Sequence, residues 1–312
     1  MKTSTFADLS LLFVALIWGT TFVLVQNAIA FLEPLSFNAV RFSVAAIILG
    51  LWLLIFEKHL LQKLDRKLIL SGIMLGVWLF IGYAFQTLGL LYTTSSKAGF
   101  ITGLSVVLVP LLMLGILKQR PSVNSIAGVF AATIGLYLLT MSDVSGLNIG
   151  DAFVLICAAG FALHIVFTGK FSSSYPTLLL TIVQILTVAV LSAGSAILFE
   201  DWKRAFQPEV IFSTNVITAL LITSILATAL AFFIQTNFQK HTTATRVALI
   251  FAMEPVFAAI TAYFWADERL ANSALVGCVL IVAGMIFAEL PAGKLESIIR
   301  RLFVKKEADF KA

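Results

Sequence analysis

The chain has 312 residues, 60% of them hydrophobic and 12% charged, with a mean hydropathy of +1.02 and a formal net charge of +5. A soluble domain carries about 25% charged residues, so the composition excludes a water-soluble protein and implies an integral membrane one. The positive balance does not imply nucleic acid, because the basic residues sit in short loops and at the C-terminal end, where they act as topology signals.

Apolar segments of about 20 residues, each able to cross roughly 30 Å of hydrocarbon, are the unit to count. Ten spans are predicted, at 8–31, 35–56, 68–91, 97–117, 122–141, 151–169, 177–199, 215–238, 245–265 and 272–290. Each must be helical, because a single segment in lipid has to satisfy its own backbone hydrogen bonds. The first, Leu9 to Ala30, is longer than a signal-peptide core and has no small-residue cleavage pattern behind it, so it counts as a span. Cys157 and Cys278 fall inside apolar runs and read as small buried hydrophobes, not as a disulfide or a thiolate metal site. The connections are short, which leaves no room for a second soluble domain.

Basic residues beside the spans set the orientation. With the N-terminus in the cytoplasm, that side holds sixteen of them, including Lys58, Lys63, Arg66, Lys67, Lys118, Arg120, Lys170, Lys240 and Arg246. The other side holds four, Lys97, Lys203, Arg204 and Arg269, while Arg41 lies within a span. Both termini are therefore expected inside. In the tail, Leu295, Ile298, Ile299, Leu302 and Phe303 recur at helical spacing among Lys294, Arg300, Arg301, Lys305 and Lys306. Two readings fit it: a basic amphipathic helix on the inner leaflet, or a partly disordered tail that acts on topology.

One offset of 149 residues relates Gln86 to Gln235, Thr87 to Thr236, Thr93 to Thr242, Lys97 to Arg246, Arg120 to Arg269, Gly128 to Gly277 and Gly135 to Gly284. Shared Gln, Thr, basic and Gly positions are not a by-product of apolar composition, so the chain reads as a repeat. Five spans per unit is an odd number, so the second copy enters from the opposite face. The expected fold is all-α and integral to the membrane, ten transmembrane helices in two inverted five-helix repeats, 1–145 and 146–291, followed by the tail at 292–312. Inverted repeats accompany alternating access around a midplane site. Pro110 and Pro255 break the offset by four residues; each frees the carbonyl four residues back, Val106 and Phe251, and kinks at different depths are expected.

Glu254 is the one acid well inside a span, about 13 Å along its helix at 1.5 Å per residue, near the bilayer centre. Three roles are open to it: proton coupling, contact with a substrate ammonium, or a structural hydrogen bond beside Pro255. Arg41, about seven residues into its span, either snorkels to the interface or meets an anionic group in a cavity. Gln86 and Gln235 are symmetric polar side chains, suited to a neutral ligand or to bonds between helices. Trp18, Thr20, Thr21, Trp78, Tyr83 and His164 are further candidates for an amphipathic pocket, walled by the first, third, fourth, sixth, eighth and ninth spans. The three histidines are scattered, and no catalytic, phosphate-binding or metal-ligand pattern is present, so an enzyme is not expected.

Taken together, Trp18-Gly19 with the Thr and Phe that follow, Pro34 with Arg41-Phe42, Tyr92 through Gly99, and Thr245-Arg246 leading to Glu254-Pro255-Val256 resemble the EamA-type branch of the drug/metabolite transporter superfamily over about residues 8 to 290. The resemblance implies a bacterial inner-membrane carrier that moves small metabolites by alternating access, often exporting amino acids or related compounds, with no bound cofactor. The expected partners are a small-molecule substrate and the lipid bilayer, with no nucleic acid; the oligomeric state is left open, with a monomer favoured. The alternative is an exchanger of anionic metabolites, such as phosphorylated sugars, that uses Arg41, Lys97 and Arg246. Ser105 and Val106 stand where the second copy has Glu254-Pro255, so any role of that pair belongs to one half.

Overall fold

The computed structural model describes residues 3–140, 148–265 and 271–289, and the tail, Arg269 and the link between the halves lie outside the described residues. The first half consists of α1 (Thr3–Ile29), α2 (Pro34–Phe56), α3 (Arg66–Gly89), α4 (Ser95–Gly103), α5 (Ser105–Leu117) and α6 (Val123–Thr140). The second consists of α7 (Ile149–Phe171), α8 (Thr177–Phe199), the short α9 (Pro208–Ile211), α10 (Thr214–Ser224), α11 (Ala231–Gln239), α12 (Ala244–Phe251), α13 (Glu254–Trp265) and α14 (Asn272–Glu289). A π-helical turn, Ile225–Leu230, joins α10 to α11. Among the described residues all regular structure is helical, and eight stretches are long and apolar enough to cross a membrane. The predicted fifth and tenth spans, α6 and α14, are shorter apolar helices.

Helix starts are fixed by short polar side chains at the loop ends, where the first N–H groups have no partner in the helix. Asp65 accepts from the Leu68 amide at the start of α3, and Asn148 and Asp151 form a reciprocal capping box at the start of α7. Thr94 accepts from the Lys97 amide and Thr243 from the Arg246 amide, so the two copies start α4 and α12 with the same cap. At α2 the cap comes from a distance: the Glu200 carboxylate accepts from the Leu35 and Ser36 amides at 2.8 and 2.7 Å. That contact ties the end of α8 to the start of α2.

The helices pack in pairs across the two halves. α2 lies on α8, α3 on α7 and α8, and α1 on the broken eighth and ninth spans. One apolar core surrounds Leu11, Val109, Leu136, Val166, Val247 and Ile281; another surrounds Phe42, Leu79, Ile185 and Phe232. α6 and α14 approach backbone to backbone. A Cβ at Gly135 would stand 2.6 Å from the Gly277 carbonyl oxygen, and one at Gly128 would stand 2.5 Å from that of Gly284. The contact is reciprocal, since a Cβ at Gly277 would meet Gly135 and one at Gly284 would meet Gly128. Gly135→Ala should therefore lower the melting temperature in detergent through overpacking of about 1–3 kcal/mol. Gly115→Ala, with nothing within 4 Å of the new Cβ, should leave it unchanged or raise it by removing a flexible residue from a helix.

Candidate functional site

Both the fourth and the ninth span are broken helices. α4 ends at Gly103 and α5 restarts at Ser105; α12 ends at Phe251 and α13 restarts at Glu254. Leu104 and Met253, the residues at the two breaks, are 149 positions apart, so the kinks expected at different depths lie at the same depth of the repeat. The reason is that the prolines act unequally. Pro255 occupies the second position of α13, where a missing N–H costs nothing, and the chain breaks at Phe251 as its freed carbonyl predicts. Pro110 sits inside α5, which continues through it, and that break lies two residues before Val106.

Between the breaks lies a cavity. Of the ten side chains singled out in the sequence, eight line it: Trp18, Thr21, Arg41, Tyr83, Gln86, His164, Gln235 and Glu254. Its wall includes the second span, through Arg41, besides the six expected ones. Thr20 and Trp78 are not among the lining residues; the Thr20 hydroxyl donates to the Ile17 carbonyl on its own helix.

The polar groups differ in how far the protein satisfies them. The half-buried Glu254 carboxylate makes no hydrogen bond or ion pair with any described residue, so the structural bond open to it in the sequence is not made. Arg41 is 3% exposed and has no carboxylate within ion-pair distance among the described residues. Its Nε donates to the Thr228 hydroxyl at 2.7 Å and its Nη2 to the Ala227 carbonyl at 3.3 Å, and its guanidinium lies 4.7 Å from the centroid of the Tyr83 ring. It does not snorkel to an interface.

Gln235 Nε2 donates to Gln239 Oε1, and Gln239 Nε2 in turn donates to the Ile165 carbonyl, which fixes both amide orientations. Gln235 Oε1 is left buried with no partner. Gln86 reaches Thr102 at 3.4 Å. His164 is held by the protein: Nε2 pairs with Gln184 Oε1 at 2.8 Å, and Gln184 Nε2 donates to the Thr236 hydroxyl at 3.0 Å. Around these groups stand Trp18, Phe22, Phe161, Phe232 and Phe251, with Trp18 5.0 Å from Phe251 and 5.3 Å from Phe232 between ring centroids.

Two ion pairs flank this cavity. Lys97 Nζ, at the start of α4, lies 2.6 Å from Asp151 at the start of α7, both buried. Arg246, at the start of α12 and partly buried, pairs with the buried Asp8 near the start of α1. Lys97 and Arg246 are repeat partners, and each sits seven residues, about 10 Å, before its helix break. The sequence marked both bases and missed both acids.

A sequence profile described as the EamA-like transporter family matches residues 5–141 and again 148–289. The chain belongs to the EamA-like transporter family. An uncharacterised transporter of Archaeoglobus fulgidus is 36% identical over 285 residues, covering 91% of this chain and 86% of that protein. The uncharacterised transporter YvbV of Bacillus subtilis is 26% identical over 285 residues, with 89% of each covered. A solved crystal structure superposes with a TM-score of 0.76 at 22% identity over 94% of this chain, a likeness of fold. Family membership and the apolar helices make this a multi-pass membrane transporter. Within that frame Gly19 acquires a reason: a Cβ there would collide with the Glu254 carbonyl oxygen and stand 2.9 Å from Phe257 Cβ. Gly19→Ala is expected to displace the start of α13 and to cut transport about tenfold, the factor set by 1.4 kcal/mol, as measured in reconstituted vesicles.

Proposed function

We propose that the protein is a secondary transporter that exports amino acids or related amphipathic compounds by alternating access. The observation that carries this reading is the Glu254 carboxylate at a helix break, without a partner among the described residues, inside a cavity lined by six aromatic side chains. A carboxylate so placed has a substrate ammonium or a proton as its counterpart. In this reading α6 and α14 also cross the bilayer, giving ten spans in two inverted repeats, 1–145 and 146–291. Support comes from the reciprocal glycine contacts of α6 and α14, the two caps, the two breaks and the two ion pairs, each a first-half feature with a second-half twin. The Asp8–Arg246 pair then closes the face on which α1 begins, and the Lys97–Asp151 pair the face on which α4 begins. The excess of basic residues beside the spans supports a cytoplasmic position for the first of these faces, and the family resemblance supports the bacterial inner membrane as the location.

Efflux from preloaded proteoliposomes tests the reading. A wild-type protein that releases labelled amino acids from a panel, without counter-substrate outside, supports export. Release of none of them, or release only against an external anion, overturns it. The second outcome favours the exchanger of anionic metabolites, which the buried Arg41 with no carboxylate partner recommends. Against that alternative, Lys97 and Arg246 already have Asp151 and Asp8, and neither lines the cavity.

A further inference from the structure

The repeat separates what the fold needs from what the substrate needs. Caps, helix breaks, glycine contacts and ion pairs occur in both copies; three features around the cavity occur in one. Glu254 faces Ser105 across the repeat. The π-helical turn at Ile225–Leu230 corresponds to positions 76–81, which lie in the unbroken α-helix α3. Arg41 has no basic counterpart anywhere in α8. The second and third of these features are one contact. A π turn, which often marks a functional site, alters the local i→i+4 pairing, and here the Ala227 carbonyl within it accepts from outside the helix twice, from Trp18 Nε1 at 2.8 Å and from Arg41 Nη2 at 3.3 Å. Thr228, fully buried on the same turn, takes the Arg41 Nε proton at 2.7 Å. The guanidinium plane is backed by the rings of Tyr83 and Phe42 at 4.7 and 5.3 Å.

Two acceptors and both ring contacts thus fix the orientation of a buried cation that has no ion-pair partner among the described residues. Leaving such a charge uncompensated is costly, and the cavity it lines is where compensation can come from. The geometry points to Thr228 and the Ala227 carbonyl as the positioning elements that hold Arg41 as the subsite for an anionic group of the substrate. This rests on the transport reading for the identity of the occupant. It adds that the pocket has two poles, Glu254 and Arg41, and that the π turn of the eighth span sets selectivity for one of them.

The test compares binding of L-phenylalanine with that of 2-phenylethylamine, which lacks the carboxylate, to the purified full-length protein. Wild type is expected to prefer L-phenylalanine. Thr228→Val should weaken that preference about tenfold, corresponding to 1.4 kcal/mol, with little change for the amine, and Thr228→Ser should restore it. Arg41→Gln, which removes the charge itself and keeps the residues of the turn, should abolish the preference and provides the same readout if the valine variant does not fold. The inference is overturned if wild type does not distinguish the two probes, or if Thr228→Val weakens both equally, as a purely structural contact would. Carboxylate-selective binding without efflux from vesicles would remove the transport reading and leave the Arg41 site standing. Efflux with binding blind to the carboxylate would do the reverse.

Discussion

Glu254→Gln is expected to reduce efflux from proteoliposomes by roughly tenfold to a hundredfold while leaving the protein as stable as wild type or more so. The size follows from a charge-assisted contact to the substrate, worth about 1.5–3 kcal/mol. The stability follows from the absence of any bond between this carboxylate and a described residue, so that Gln removes a burial cost and breaks nothing in the protein. An acid that pinned the break beside Pro255 would behave the other way, with a lower melting temperature and transport reduced only in proportion. Thermal unfolding and efflux measured on one preparation separate the two cases.

The second large effect concerns the ion pairs. Lys97 and Asp151 have side chains only 8% and 5% exposed, and removing one partner of such a pair costs about 3–5 kcal/mol because the other charge stays buried. Asp151→Asn should therefore lower stability sharply. Asp8 and Arg246 are more exposed, at 11% and 25%, so their exchange is the cleaner functional test. Arg246→Asp alone sets two acids against each other and should stop transport. Asp8→Arg combined with Arg246→Asp re-forms the pair in reverse and should recover much of the efflux at near-normal stability. Recovery absent at normal stability would mean that Arg246 does more than hold Asp8.

Much of this was legible in the chain because hydrophobic length and the 149-residue offset are properties of sequence alone. The third to fifth spans of each half, the caps at Thr94 and Thr243, and the glycine pairs of α6 and α14 sit where that offset puts them, whereas α7 and α8 start three to six residues earlier than it would place them. The acids of the ion pairs were hidden for a specific reason. Asp8 and Asp151 are 143 residues apart, six fewer than Lys97 and Arg246, so an ungapped comparison never aligns them. The break at Leu104 was hidden because Pro110, the expected cause, is accommodated inside α5 and the turn forms ahead of it. The π turn has no outward mark: Ile-Leu-Ala-Thr-Ala-Leu contains neither proline nor glycine. Arg41 was seen, but its two possible directions differ only in what stands opposite, and Thr228 is 187 residues away.

Alternating access to one cavity can be measured directly with a single cysteine at Thr21, on the cavity wall, in a background where the two free cysteines, Cys157 and Cys278, are serine. A membrane-impermeant maleimide is applied from each face in turn. Neutralising one pair with Asp8→Asn and Arg246→Gln should raise labelling from the face where α1 begins and lower it from the other. Neutralising the other pair with Lys97→Gln and Asp151→Asn should do the opposite. Labelling that rises from both faces in the same variant, or from neither face in either variant, would contradict a carrier that alternates around Glu254.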